Sequence, residues 1–284
     1  MQLPSAYWLC VYLEKEKRKQ EIEKTFHTTK LENRCKNVYS IEMLCCAASK
    51  DCFKFCILMN VSNFRFQISK LNLASYIDHT ILKADTSEEE VIKLCNEAKQ
   101  YGFAAICIPP YFVRKCKQWL KDTDIKIATV VGFPLGYAHT PAKVEEARRA
   151  IDEGANEIDM VLNLIALKAG DLNYLKNELT SAATIVQLRG GKLKVILETG
   201  LLTKEEIITA CKLCTELNVD FVKTSTGFTE QGATVEVVEL LRANLPKSIK
   251  IKASGGIRDK AFAEALIKAG ADRIGTSKGV ELVS

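Results

Sequence analysis

The run YIDHTILKADTSEEE at residues 76–90 decides between two architectures. It opens with β-branched and aromatic residues and passes into an acidic, helix-starting segment, as a strand–helix unit does. An open doubly wound sheet announces its first strand-to-helix turn with a GxGxxG fingerprint, and no glycine stands anywhere in this run. Seven further apolar runs repeat the plan: AAICIPP (104–110), KIATVVGFP (126–134), EIDMVLNLI (157–165), LKVILETG (193–200), FVKTSTG (221–227), IKIKASGG (249–256) and DRIGTSKG (272–279). Between them lie segments with apolar residues three and four apart, such as 88–102, 141–154 and 204–218, which suit helices laid on a sheet. Thr86 with Glu89 and Thr203 with Glu206 have capping-box spacing, and Thr140 precedes a first-turn proline. Eight strand–helix units in about two hundred residues predict an α/β protein, a closed (β/α)8 TIM barrel.

The barrel accounts for residues 59–284; residues 1–58 follow another pattern. They join a charged, helix-prone stretch (12–32) to a cysteine-rich segment, CCAASKDCFKFC (45–56), that has no clear period. We read them as a loosely ordered extension, with Met59 as an alternative natural start. LPSAYWLCVYL (3–13) lacks the preceding basic region and the small-residue cleavage site of a signal peptide, and no apolar run reaches the ~18 residues a membrane span needs. The net charge of +5 comes from interspersed Lys/Arg and Asp/Glu, without the basic stripe that a nucleic-acid groove requires. Cys95, Cys107, Cys116, Cys211 and Cys214 sit inside apolar patterns, as reduced, buried thiols do. The CxxC pair Cys211 and Cys214 falls mid-helix with no second pair or nearby histidine, so no metal is expected there.

Barrel chemistry sits where strands end, and period-2 alternation sorts those ends by face. Asp78 and Thr80 share a face on the first run, Glu157, Asp159, Val161 and Asn163 on the fourth, Phe221, Lys223 and Ser225 on the sixth, and Lys250, Lys252 and Ser254 on the seventh. With these faces inward, two lysines, Lys223 and Lys252, meet in one lumen, and no acidic residue flanks Lys223 in the chain. Two cations so placed repel, and at least one pKa is expected to fall. A depressed lysine is what Schiff-base chemistry requires, with Asp159 available to move protons. The plain alternative, an ion-pair cluster that holds the barrel together, stays open on pattern alone. Gly255-Gly256 after the seventh strand and Gly275-Thr276-Ser277-Lys278 after the eighth lie where barrels bind phosphate, with Ser277 and Lys278 as added donors.

The motifs IDHTIL, CIPPYFV, VVGFPLG, NEIDMVLN, ILETGLL, FVKTSTGF, IKASGGIR and RIGTSKG, in this order, resemble the deoxyribose-phosphate aldolase family over roughly Leu71 to Val283. The resemblance implies a metal-independent, cofactor-free class I aldolase, cytoplasmic and homodimeric, that acts on a small sugar phosphate and acetaldehyde in deoxyribonucleotide catabolism. It implies that Lys223 is the imine-forming nucleophile, that the charge of Lys252 lowers the pKa of Lys223, and that Asp159 shuttles protons. Carbon–carbon cleavage then releases glyceraldehyde 3-phosphate and leaves a two-carbon enamine. Asp78, Thr80 and Cys107 would line the site, Cys107 as a packing residue. Phosphate contacts would fall to Thr226, Gly227, Gly255, Gly256, Gly275 and Ser277. The chain departs from the family at Lys278, which replaces a second serine, and in ending without the longer tyrosine-terminated tail.

Overall fold

The computed structural model describes residues 72–284, which belong to a unit spanning Lys70–Ser284. The expectations for the 1–58 extension, its cysteines and the start at Met59 lie outside the described residues. Eight strands appear where the eight runs predict them: β1 (Ile77–Thr80), β2 (Ala105–Ile108), β3 (Lys126–Val131), β4 (Glu157–Val161), β5 (Lys192–Ile196), β6 (Phe221–Lys223), β7 (Lys250–Ser254) and β8 (Arg273–Thr276). All neighbours pair in parallel in chain order, and β8 pairs with β1 to close the barrel. The helices are α1 (Glu88–Tyr101), α2 (Val113–Trp119), α3 (Thr140–Glu153), α4 (Leu164–Lys168), α5 (Leu172–Gln187), α6 (Lys204–Glu216), α7 (Val235–Asn244), α8 (Lys260–Lys268) and a final α9 (Gly279–Val283).

Local chemistry sets the helix boundaries. Thr203 caps α6 and makes a reciprocal box with Glu206. The expected box at Thr86 and Glu89 forms one residue later, between Ser87 and Glu90, since consecutive glutamates make both frames equally good in sequence. Thr86 instead donates its hydroxyl to Lys83 O at 2.8 Å in the preceding turn. His139, not Thr140, is the cap residue of α3, and Thr140 is already helical.

Alternation along the strands divides two environments. Outward residues such as Ile77, Ile106, Ile158, Met160, Val195, Val222, Ile251 and Ile274 join Val91, Leu94, Leu175, Leu179, Leu241 and Leu266 of the helices in the main hydrophobic core. Each such side chain contributes about 1.5–3 kcal/mol on full burial, so this shell between sheet and helices is where the fold gains most of its stability. The lumen is different. An apolar cluster of Cys107, Ala128 and Val130 lines its β2–β3 side, Ile196 and Phe221 add apolar surface from β5 and β6, and buried charge fills the space between.

A buried ion pair braces the outside of β4. Lys143 of α3 donates to Val161 O at 2.9 Å and to Glu178 Oε1 of α5 at 2.8 Å, and Glu178 also accepts the Asn163 N–H at 3.2 Å. Both carbonyl and amide belong to the segment just past Asp159. The Asn163 side chain is turned out of the lumen and caps α4 through the Ala166 N–H.

Candidate active site

The strand registers place the inward residues in layers. Asp159 is level with Lys194 on β5, Ile196 of β5 with Lys223, Lys223 with Lys252 on β7, and Lys252 with Arg273 on β8. Asp78 on β1 is level with Gly275. These neighbours bring four cationic side chains and three carboxylates into the lumen, where alternation had placed Lys223, Lys250 and Lys252 with Asp78, Glu157 and Asp159; Lys250, at the start of β7, is exposed instead.

Asp159 is the hub. Its Oδ1 lies 2.8 Å from Lys194 Nζ, and its Oδ2 lies 2.9 Å from Lys223 Nζ and 2.8 Å from Lys252 Nζ. Asp78 Oδ2 contacts Lys252 Nζ at 2.5 Å, while its Oδ1 pairs with Arg273. Glu157 bridges Lys194 at 2.5 Å and Arg273 at 2.8 Å. The Phe221 ring lies beside this layer, with Lys194 Nζ 5.7 Å and the Arg273 guanidinium carbon 5.9 Å from its centroid.

This geometry corrects the expectation that Lys223 has a cation rather than an anion for its partner. Barrel closure carries the β4 carboxylate across to β6, although the chain itself places no acid beside Lys223. The neighbouring lysine keeps the positive charge expected of it. Burial favours loss of the Lys252 proton, but the Asp159 and Asp78 carboxylates outweigh it and hold that ammonium above its ordinary range. Lys194 is raised for the same reason, burial again being overcome by its carboxylates. Burial alone would push Asp159 up, yet Lys194, Lys223 and Lys252 together keep it well below the usual carboxylate range. Asp78 is depressed likewise, with Lys252, Lys194 and Arg273 outweighing its desolvation.

A cavity of about 350 Å³ opens above this layer at the C-terminal ends of the strands. All three lysines are buried, but Lys223 lines it and Lys194 and Lys252 do not. Contacts separate the lysines further. Lys223 meets one carboxylate within 4 Å, Lys252 meets two and Lys194 meets three. Of the three, Lys223 is therefore the least anchored and the one that open space reaches.

Thr80, Thr226, Gly227, Gly255, Gly256, Gly275 and Ser277 all line the same cavity. Asp78, Asp159, Lys252 and Cys107 are below it. Cys107 Sγ is 4.0 Å from Asp159 Oδ2, and burial pushes its thiol up, which suits a packing residue and not a thiolate nucleophile. Gly275 has a steric reason to lack a side chain, because a Cβ there would stand 3.0 Å from Lys252 Cε and 2.9 Å from Ser254 Cβ. Gly255 adopts a φ of 89°, and its backbone packs directly on Gly232.

Two expected phosphate donors point elsewhere. Thr226 gives both its N–H and its hydroxyl to Glu198. Lys278 pairs with Glu281 at 2.7 Å and does not line the cavity, because α9 begins immediately after it and the two side chains meet at i,i+3 spacing. In their place Lys83 and Arg258, which sequence reading passed over, stand at the cavity with no ion-pair partner among the described residues. Lys194, Arg273 and Glu198 were also missed. Alternation on the fifth and eighth runs puts Lys194 and Arg273 on the inward face and could have found them; nothing in the sequence marks Glu198.

The profile described as DeoC/LacD family aldolase matches residues 72–281. A deoxyribose-phosphate aldolase of Thermococcus gammatolerans is 51% identical over 215 residues, covering 75% of this chain and 96% of that protein. A deoxyribose-phosphate aldolase of Thermoanaerobacter sp. (strain X514) is 51% identical over 214 residues, with 75% and 96% coverage. Among solved structures, the tetrameric deoxyribose phosphate aldolase of Aeropyrum pernix superposes with a TM-score of 0.70 at 33% identity, covering 74% of this chain and 89% of that one.

Proposed function

Because the chain belongs to the DeoC/LacD family of aldolases, we propose that it is a deoxyribose-phosphate aldolase that works through an imine on Lys223. The reaction is the reversible cleavage of 2-deoxy-D-ribose 5-phosphate to D-glyceraldehyde 3-phosphate and acetaldehyde. One observation carries the reading: of three lysines in the charged lumen, Lys223 alone lines the cavity, and its ammonium is in contact with the Asp159 carboxylate.

Lys223 Nζ, having released a proton, adds to C1 of the open-chain sugar, and loss of water gives the protonated imine. That iminium is the electron sink. A base removes the proton of the C3 hydroxyl, the C2–C3 bond breaks, and its electron pair flows to the imine nitrogen as an enamine. Glyceraldehyde 3-phosphate leaves; protonation of the enamine at C2 and hydrolysis then release acetaldehyde and free Lys223. Asp159, in contact with Lys223, is the group placed to carry protons through these steps. Lys252 stays cationic, and with Lys194 it keeps Asp159 ionised between transfers.

The phosphate end fits the opposite side of the cavity, toward Gly227, Gly255, Gly256 and Ser277, with Lys83 and Arg258 at hand for charge. The iminium supplies the electron sink, so the reaction calls for no metal or cofactor. We assign the enzyme to the cytoplasm as a homodimer in deoxyribonucleotide catabolism. Its free, buried Cys95, Cys107, Cys116, Cys211 and Cys214 fit a reducing compartment.

Borohydride reduction in the presence of acetaldehyde should fix a two-carbon adduct on the peptide containing Lys223. An unmodified Lys223 peptide would overturn the assignment. A panel of sugar phosphates checks the substrate, since acetaldehyde should appear from the 2-deoxypentose phosphate alone.

A further inference from the structure

Glu198 is a buried carboxylate in a costly setting. It follows β5 with φ 51° and ψ 59°, a left-handed conformation that side chains disfavour, and it is 2% exposed. It has no cationic partner among the described residues, although an isolated buried charge is expensive. Its balance comes from hydrogen bonds to one loop. The Thr226 N–H donates to both carboxylate oxygens at 3.2 and 3.3 Å, the Thr226 hydroxyl donates to Oε2, and the Thr229 hydroxyl donates to Oε1 at 3.0 Å.

Backbone bonds on either side complete the clasp. The Leu197 N–H donates to Lys223 O at 3.0 Å, and the Thr199 N–H donates to Thr224 O at 2.9 Å. The loop so held begins at the end of β6, directly after Lys223. It carries Gly227, with φ 87°, and Phe228 into the cavity wall. The Thr226 hydroxyl also accepts the Phe228 N–H at 3.1 Å, so the turn has little freedom left while Glu198 is in place.

We propose that Glu198 is a positioning residue that fixes the Thr226–Thr229 loop so that the Gly227 turn forms the phosphate side of the cavity. On this view Thr226 is a strut between Glu198 and the turn, and not itself a phosphate ligand. The inference rests on the aldolase reading only for the substrates used to test it. The left-handed backbone at residue 198 is what lets a carboxylate at the end of one strand reach the loop of the next.

The test compares Glu198→Ala, Glu198→Gln and Thr229→Val with the wild type. Loss of the clasp should speed amide hydrogen exchange in 224–229. In Glu198→Ala, KM for 2-deoxyribose 5-phosphate should rise about tenfold or more, the effect of losing roughly 1.4 kcal/mol of ordered contact. Turnover of unphosphorylated 2-deoxyribose and imine trapping at Lys223 should change little. Glu198→Gln, which keeps one carbonyl acceptor, and Thr229→Val, which removes one donor, should fall between, and they carry the test if the alanine variant does not fold. Equal losses on both sugars in these variants would overturn the proposal, because they would show Glu198 supporting the barrel in general. An unchanged KM for the phosphorylated sugar would also overturn it. If the wild type trapped no imine, the aldolase reading would fail; affinity for inorganic phosphate by calorimetry, expected to weaken in Glu198→Ala, would still decide the role of Glu198.

Discussion

Replacing Asp159 with asparagine tests the centre of the site most directly. The carboxylate meets three ammonium groups at 2.8–2.9 Å, and each contact has a gross attraction of about 6 kcal/mol at an effective dielectric of ~20. Desolvation cancels most of that sum, so the net cost of removing the charge is on the order of 3–5 kcal/mol. The substitution keeps the volume but leaves four cations facing Asp78 and Glu157 alone. If Asp159 carries protons, turnover should drop about 10²- to 10⁴-fold, or ~2.7–5.4 kcal/mol of barrel-held transition-state stabilisation. Acetaldehyde release measures turnover, and a thermal melt on the same preparation shows that the variant is folded. A folded Asp159→Asn enzyme working within about threefold of wild type would refute the proton-carrying role and leave Asp159 as a counter-ion.

Three further outcomes are expected. Asp159 and Asp78 are both depressed in the folded state, so their ion pairs contribute stability that is present above the ordinary Asp value near ~3.9 and lost as pH falls below it toward the folded values. Urea midpoints should therefore fall steeply below about pH 4, and Asp159→Asn should flatten that slope. Lys143→Met should cost about 3–5 kcal/mol by stranding Glu178, since both side chains are fully buried, while Lys143→Met with Glu178→Leu should recover most of the loss; calorimetry checks both. Burial pushes the Cys211 thiol up to about 12, so at pH 8 only about one molecule in ten thousand carries the thiolate. Peptide mapping after iodoacetamide should show Cys211 alkylated in denaturant and untouched in the native protein.

The chain's own pattern determined the barrel, because eight period-2 runs separated by helical periods leave a parallel sheet few ways to cover both faces. It also set Lys223, Lys252 and Asp159 on the inward face, since alternation fixes which side of a strand a residue occupies. It did not fix how many charges share the lumen. That number depends on strand stagger and closure, which bring Lys194 and Arg273 level with residues distant in sequence and give Lys223 a carboxylate two strands away. Capping frames were ambiguous for a local reason, three successive glutamates offering two equal boxes. Glu198 was illegible altogether. A glutamate at a strand end reads as an exposed loop residue, and only the left-handed backbone at φ 51° turns its carboxylate inward to the β6 loop. Sequence determined which side chains could enter the lumen; tertiary structure decided which ones meet there, because contact across a closed barrel is a property of all eight strands together.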